Sequence, residues 1–300
     1  MFARIRLFAV LALLGGCATV PAPQLADAAP GQRAWAQACD EFDEWDKPGP
    51  PFRVYGDTYY VGTCGITALL VTSRKGHVLI DSGTEKGAEI VLANIRSLGF
   101  DPRDVKALLM SHEHFDHVGG MARLQAATGA PVFASPEAAA VLRTGLPGGS
   151  DPQAASGHPA FPPVSGPIHD VAFEMPMLAS RRFQPIITPG HTPGATSWTW
   201  PSCEGTTCKQ IVYADSLSAI SADGYRFSDH PAYLAGFRRG IARIAAAPCD
   251  IVLAPHPSAA DMRGRLLGHR AISNPAGCRE YAARVGSTLD KRLADETTGG

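Results

Sequence analysis

Three hundred residues, 45% hydrophobic and 18% charged, suffice for one large α/β domain or two small ones around a sizeable core. Lys and Arg number 27 against 28 Asp and Glu, so no basic excess suits a nucleic acid or an anionic membrane surface. Gly (31) and Pro (25) are abundant, which fits a loop-rich enzyme better than a helical bundle.

The chain opens on a targeting segment, residues 1–17. Arg4 and Arg6 form a positive end before the apolar Leu7-Phe-Ala-Val-Leu-Ala-Leu-Leu14, which is too short to span a bilayer. Leu14-Gly-Gly-Cys17 resembles a bacterial lipoprotein cleavage site, which would leave Cys17 as the lipid-bearing first residue and the only membrane attachment. Ala26-Asp27-Ala28 offers a competing site further on. Either reading exports the protein to the periplasm. Residues 18–38 read as a tether and 39–300 as a single domain.

Of seven cysteines, removing Cys17 leaves an even six, as suits an oxidising compartment. Cys203 and Cys208 bracket a hairpin tip. Cys249 precedes a strand and Cys278 opens the last helix, so that pair would tie the helix down. Cys39 and Cys64 remain, joining the N-terminal arm to an early strand. None has a metal-ligand spacing.

From Phe52 two alternating apolar runs read as a hairpin, and His77-Val-Leu-Ile as a third strand ending at Asp81. Residues 87–98 have helical spacing and stop at Gly99. Val105-Lys-Ala-Leu-Leu-Met110 is a buried strand, followed by a helix over 121–128, a strand at 131–134 and a helix over 136–143. Residues 145–167 carry Pro, Gly and Ser without periodicity, a long irregular loop of the functional kind. Strands follow at 183–188, 196–200 and 209–214, then an amphipathic helix over 230–247, a strand at 250–254 and a closing helix over 277–294. Strands and helices come in two successive rounds with no linker, so one domain with sheets inside and helices outside fits best.

The chemistry gathers at Ser111-His-Glu-His-Phe-Asp-His-Val-Gly-Gly120, where a buried strand runs out into a loop. His112, His114, Asp116 and His117 are all ligand types. Imidazole and carboxylate suit zinc, at about 2.0–2.2 Å. Four ligands on one turn exceed what one catalytic ion needs, so two ions are expected. Strand alternation would turn His112, His114 and Asp116 to one side, and point Glu113 away. His191, in Pro-Gly-His-Thr-Pro-Gly, and His256, in Ala-Pro-His-Pro, also follow strands and can meet the first turn at one edge. His77, His158, His169, His230 and His269 lack ligand company and read as ordinary.

These residues resemble the metallo-β-lactamase superfamily. The match narrows to β-lactamases of subclass B3, closest to their AIM type. It is carried by His112-Glu-His-Phe-Asp-His117, Pro189-Gly-His-Thr-Pro-Gly194, Tyr213-Ala-Asp-Ser-Leu-Ser218 and six paired cysteines, over residues 39–295. The resemblance implies an αββα four-layer sandwich with two mixed β-sheets inside. It implies a first zinc on His112, His114 and His191 and a second on Asp116, His117 and His256. A hydroxide bridging the ions, oriented by Asp116, would attack the amide of penicillins, cephalosporins or carbapenems. Ser216 and Ser218 would meet the substrate carboxylate, and Gln153 in the long loop would touch substrate. Asp81 would stand behind the ligands. The expected product is a monomeric, exported hydrolase that gives antibiotic resistance. Asp215 decides the alternative, because in lactonase-like and glyoxalase-like relatives an aspartate from this region bridges both metals. Its coordination here would favour a lactone or thioester hydrolase.

Overall fold

The computed structural model describes residues 30–172, 177–178 and 181–298; the targeting segment and residues 18–29 of the tether lie outside the described residues. No described helix is long and apolar enough to cross a membrane.

The chain enters with a helix where a tether was expected. In α1 (Pro30–Ala38) a proline sets the first turn and Trp35 is fully buried. Its ring lies 5.5 Å from Tyr60 and 6.0 Å from Phe52, so one large apolar side chain draws this segment onto the domain. β1 (Phe52–Tyr55), β2 (Thr58–Tyr60), β3 (Leu69–Val71) and β4 (His77–Ile80) then pair antiparallel in chain order.

Helix α2 (Glu85–Ser97) is started by Thr84, whose hydroxyl accepts the Gly87 N–H. It crosses to β5 (Val105–Leu109), parallel to β4. The one-turn helix α3 (Phe115–Val118) and α4 (Met121–Thr128) lead to β6 (Val132–Ala134). α5 (Pro136–Thr144), capped by Ser135, and the long loop lead to β7 (Ile168–Asp170). β6 and β7 continue the parallel pairing, completing a seven-stranded mixed sheet in the order β1 to β7.

After a two-stranded piece, β8 (Met177–Leu178) with β9 (Arg181–Arg182), the second sheet begins. β10 (Gln184–Ile187), β11 (Thr196–Glu204) and β12 (Thr207–Tyr213) are antiparallel. α6 (Pro231–Ala246) returns the chain to β13 (Ile251–Leu253), parallel to β12. α7 (Met262–Leu266) and α8 (Gly277–Thr298) close the domain.

Alternation along each strand builds three cores. Between the sheets lie Val54, Tyr60, Ala107 and Leu109 from one and Trp198, Trp200, Ile211 and Leu253 from the other. The opposite faces meet helices: Leu79 and Leu108 pack on Val91, Ile95, Leu124 and Leu142, and Val212 and Val252 pack on Phe237, Ile244 and Val285. The order is therefore helix, sheet, sheet, helix. Three disulfides staple it: Cys39 to Cys64, Cys203 to Cys208 across the β11–β12 tip, and Cys249 to Cys278 at the start of α8. The short β7, β8 and β9 had no counterpart in the sequence reading.

Candidate metal centre

The centre forms where β5 ends. The chain turns into α3 at Phe115 sooner than strand alternation suggested, so Asp116 and His117 ride on a helical turn with His114 as its N-cap. Gly120 allows this turn to sit against α2, where a Cβ would lie 2.3 Å from that of Ala88. Asp81, at the end of β4, holds the turn from behind in a left-handed backbone conformation (φ 62°). Its carboxylate accepts the Ser111 N–H (2.6 Å), the Ser111 hydroxyl (2.7 Å) and the Tyr213 hydroxyl (2.6 Å), and lies 3.6 Å from His117 Nδ1.

β10 ends in the loop that carries His191. Glu113, pointing away from the ligand cluster, accepts Thr192 Oγ1 (2.6 Å) and the Gly194 N–H (2.8 Å) and so fixes that loop. A Cβ on Gly190 would lie 2.2 Å from the Phe237 ring, so only glycine lets the loop rest on α6. His256 follows β13.

The six expected ligands converge. His112, His114 and His191 form one group, and His112, Asp116 and His117 another; within each, the candidate ligand atoms lie within 4.8 Å of one another. His256 Nε2 is 3.3 Å from His117 Nε2 and 3.5 Å from Asp116 Oδ2. Four of the five imidazoles have one nitrogen held by a partner outside the ligand set, while His117 Nδ1 is buried without a hydrogen-bond partner. His112 Nδ1 donates to Asp215 Oδ1 (2.8 Å), His114 Nε2 to Asp151 Oδ2 (2.9 Å), His191 Nδ1 to the Ser218 main-chain oxygen (3.1 Å), and His256 Nδ1 to that of Gly65 (3.3 Å). The other nitrogen is then left for a cation. His112 Nε2 is buried with no protein partner, which fits a nitrogen that would bind a metal.

Electrostatics agree. Burial, then the neighbouring imidazoles, pushes His112 well below its ordinary pKa; burial and His114 do the same to His191. Burial and His117 bring His256 down to about 4, and neutral imidazole is the ligand form. Burial opposes charge at His117, but Asp116 and Asp81 outweigh it and drive the group up to about 10. The Asp116 pocket therefore favours a positive charge, and its oxygen and nitrogen donors fit zinc.

Asp215 stands behind His112, fully buried, and neither ligand group includes it. Ser218, expected at substrate, has its hydroxyl 2.8 Å from His191 Nδ1. Ser216 Oγ and Gln153 Nε2 are buried without a hydrogen-bond partner. Asp151 went unnoticed in the sequence, and His158, expected to be ordinary, packs its ring 5.1 Å from that of His114. The mouth is marked by the half-buried His256 and by Trp45, 5.5 Å from the Phe115 ring. His169 stacks on Phe133 and His230 on Tyr225, away from the ligand groups.

A four-layer αββα sandwich with two adjoining histidine-rich cation pockets at one edge defines a dinuclear metallohydrolase. The family model described as the metallo-β-lactamase superfamily matches residues 61–204. The solved MIM-2 metallo-β-lactamase is 52% identical, with 90% of this chain and 99% of that one covered at a TM-score of 0.83. MEM-A1, a subclass B3 metallo-β-lactamase isolated from a soil metagenome library, is 42% identical, with 86% and 100% covered at 0.80. The N-acyl homoserine lactonase AttM of Azorhizobium caulinodans is 32% identical over 81 residues, covering 20% of this chain and only 31% of the lactonase. The chain belongs to the metallo-β-lactamase superfamily, among relatives of subclass B3.

Proposed function

We propose that the protein is a zinc-dependent β-lactamase of subclass B3. It hydrolyses the lactam amide of penicillins, cephalosporins and carbapenems and so gives resistance to them. The carrying observation is Asp215: its carboxylate is committed to His112 Nδ1, so it supports a ligand instead of bridging two ions.

His112, His114 and His191 would hold the first zinc, and Asp116, His117 and His256 the second. Two bound zinc ions supply a water acidified toward neutrality and polarise the lactam carbonyl. Asp116 lies within reach of His112 from the first set and of His117 and His256 from the second, so its oxygen orients the attacking water. Water adds to the carbonyl carbon, the amide C–N bond breaks, and the nitrogen takes up the proton. No covalent enzyme intermediate is needed, and the described site presents no serine–lysine pair. Ser216 and Gln153, buried and unsatisfied, are the groups a substrate carboxylate would satisfy after a small shift. Ser218 acts on substrate through the ring of His191. The N-terminal segment ending at Cys17 delivers the chain to the periplasm, lipid-anchored through that residue, and the domain works as a monomer.

A second reading, a lactone or thioester hydrolase, is favoured by the partial match to the lactonase. Hydrolysis of a carbapenem and a chromogenic cephalosporin, with zinc and then a chelator, decides. Turnover that the chelator abolishes and zinc restores is expected. No lactam turnover at full zinc loading, with a lactone or thioester consumed instead, would overturn the β-lactamase assignment.

A further inference from the structure

Among the first set of histidines, His114 is anchored differently. His112 is held by Asp215 just past β12, and His191 by Ser218 three residues further on, both on the framework of the second sheet. His114 is held by Asp151, in the middle of a loop that has no helix or strand between residues 145 and 167. That loop touches the imidazole twice: Asp151 Oδ2 takes its Nε2–H at 2.9 Å, and His158 packs edge-on against its ring at 5.1 Å. Both side chains of this pair are buried, 5% and 2% exposed.

The other oxygen of Asp151 works inside the loop. Oδ1 accepts the Gln153 N–H (2.8 Å), the Asp151 carbonyl accepts the Ala154 N–H (3.0 Å), and the Pro152 carbonyl accepts the Ala222 N–H (2.9 Å). One carboxylate thus ties the turn that presents Gln153 to the imidazole whose remaining nitrogen would hold the first metal. Such outer partners typically change metal affinity about 10–100-fold when lost. Coupling of this kind is reciprocal: what the loop does for the ion, the ion does for the loop.

We propose that Asp151 is a positioning residue that couples the 145–167 loop to the first metal ion, so that the ion, before any substrate, orders the loop. The inference rests on His114 being a ligand and is independent of which amide or ester is cleaved.

Asp151→Asn separates this role from a merely structural one. An asparagine keeps an oxygen for the Gln153 N–H, so the turn survives, but sets an NH₂ group against His114 Nε2. The ring then protonates at Nδ1 and loses its metal-facing lone pair. Competition with a chromophoric zinc chelator should show two zinc sites in the native enzyme. In the variant one site should be weakened about 10–100-fold, with the melting temperature of the zinc-free protein unchanged. Hydrogen exchange of the unaltered protein tests the other half without a variant. Zinc should slow exchange in residues 145–167 well beyond any change in α8, and Asp151→Asn should erase that difference. Two native-strength sites in the variant, or loop exchange indifferent to zinc in the native protein, would overturn the proposal. Lactam turnover enters none of these readouts.

Discussion

His114 and His256 illustrate how far a residue's role can lie from its neighbours in sequence. Six ligand-type residues could be read from the chain because each follows a strand end or shares one turn. Their partners could not. Asp151 is 37 positions from His114, Ser218 is 27 from His191, and Gly65 is 191 from His256, so no local pattern announces them. The hydrogen bond between Ser218 and His191 likewise exists only after folding. The ligand assignment predicts that His112→Ala or His256→Ala lowers kcat/KM by more than the 10–100-fold that loss of an outer partner costs. Circular dichroism should show the variant folded, and near-full turnover in either would refute the assignment. A separate residue carries a pH signature. Glu296 accepts the N–H groups of Phe227 and Ser228 and the Arg292 guanidinium, each at 2.9 Å. Burial opposes its charge, yet these donors hold it at about 2 against an ordinary 4.5. A depressed carboxylate stabilises above its unfolded value, and the contribution disappears as pH falls from 4.5 toward 2. Glu296→Gln should therefore lower the urea midpoint of the zinc-free protein at pH 7, with the deficit closing as pH falls toward 2.

At the level of elements, periodicity served well where it had room. Five helices and most strands were readable because apolar residues recur at the right spacing over several turns or alternations. Helix α1 was not, since a segment rich in Ala, Pro and Gln looks like a tether until Trp35 finds Phe52 and Tyr60. β7, only three residues long, is defined by its partner β6 and by nothing in its own composition. The closing helix has a covalent hold that does show in the sequence. Cys249 and Cys278 are 29 residues apart and join the start of α8 to the approach of β13. Loop-closure arguments put the worth of such a crosslink at about 3–4 kcal/mol. The double replacement Cys249→Ser with Cys278→Ser should lower the urea midpoint accordingly, and an unchanged midpoint would mean that α8 is held by its apolar face alone.

On the scale of the molecule, the layered plan was legible because the chain runs through two rounds of strands and helices without a linker. The resemblance in its histidine motifs supplied the way those rounds pack. What neither could supply was how the two halves share the centre. His112, His114, Asp116 and His117 come from the seven-stranded sheet, whereas His191 and His256 come from the four-stranded one. Each ion would therefore take ligands from both sheets, and its binding energy is also adhesion between them. At free zinc 100-fold above its dissociation constant this amounts to about 2.7 kcal/mol, roughly a hundredfold in the population of opened chains. Chelation should shorten the survival of the protein under trypsin by a comparable factor, and equal digestion rates with and without zinc would exclude it. A cell starved of zinc would then lose this enzyme twice, first its rate and later its copies. The abundance of the protein would follow the recent history of metal supply, a slow memory carried by degradation in place of any dedicated sensor.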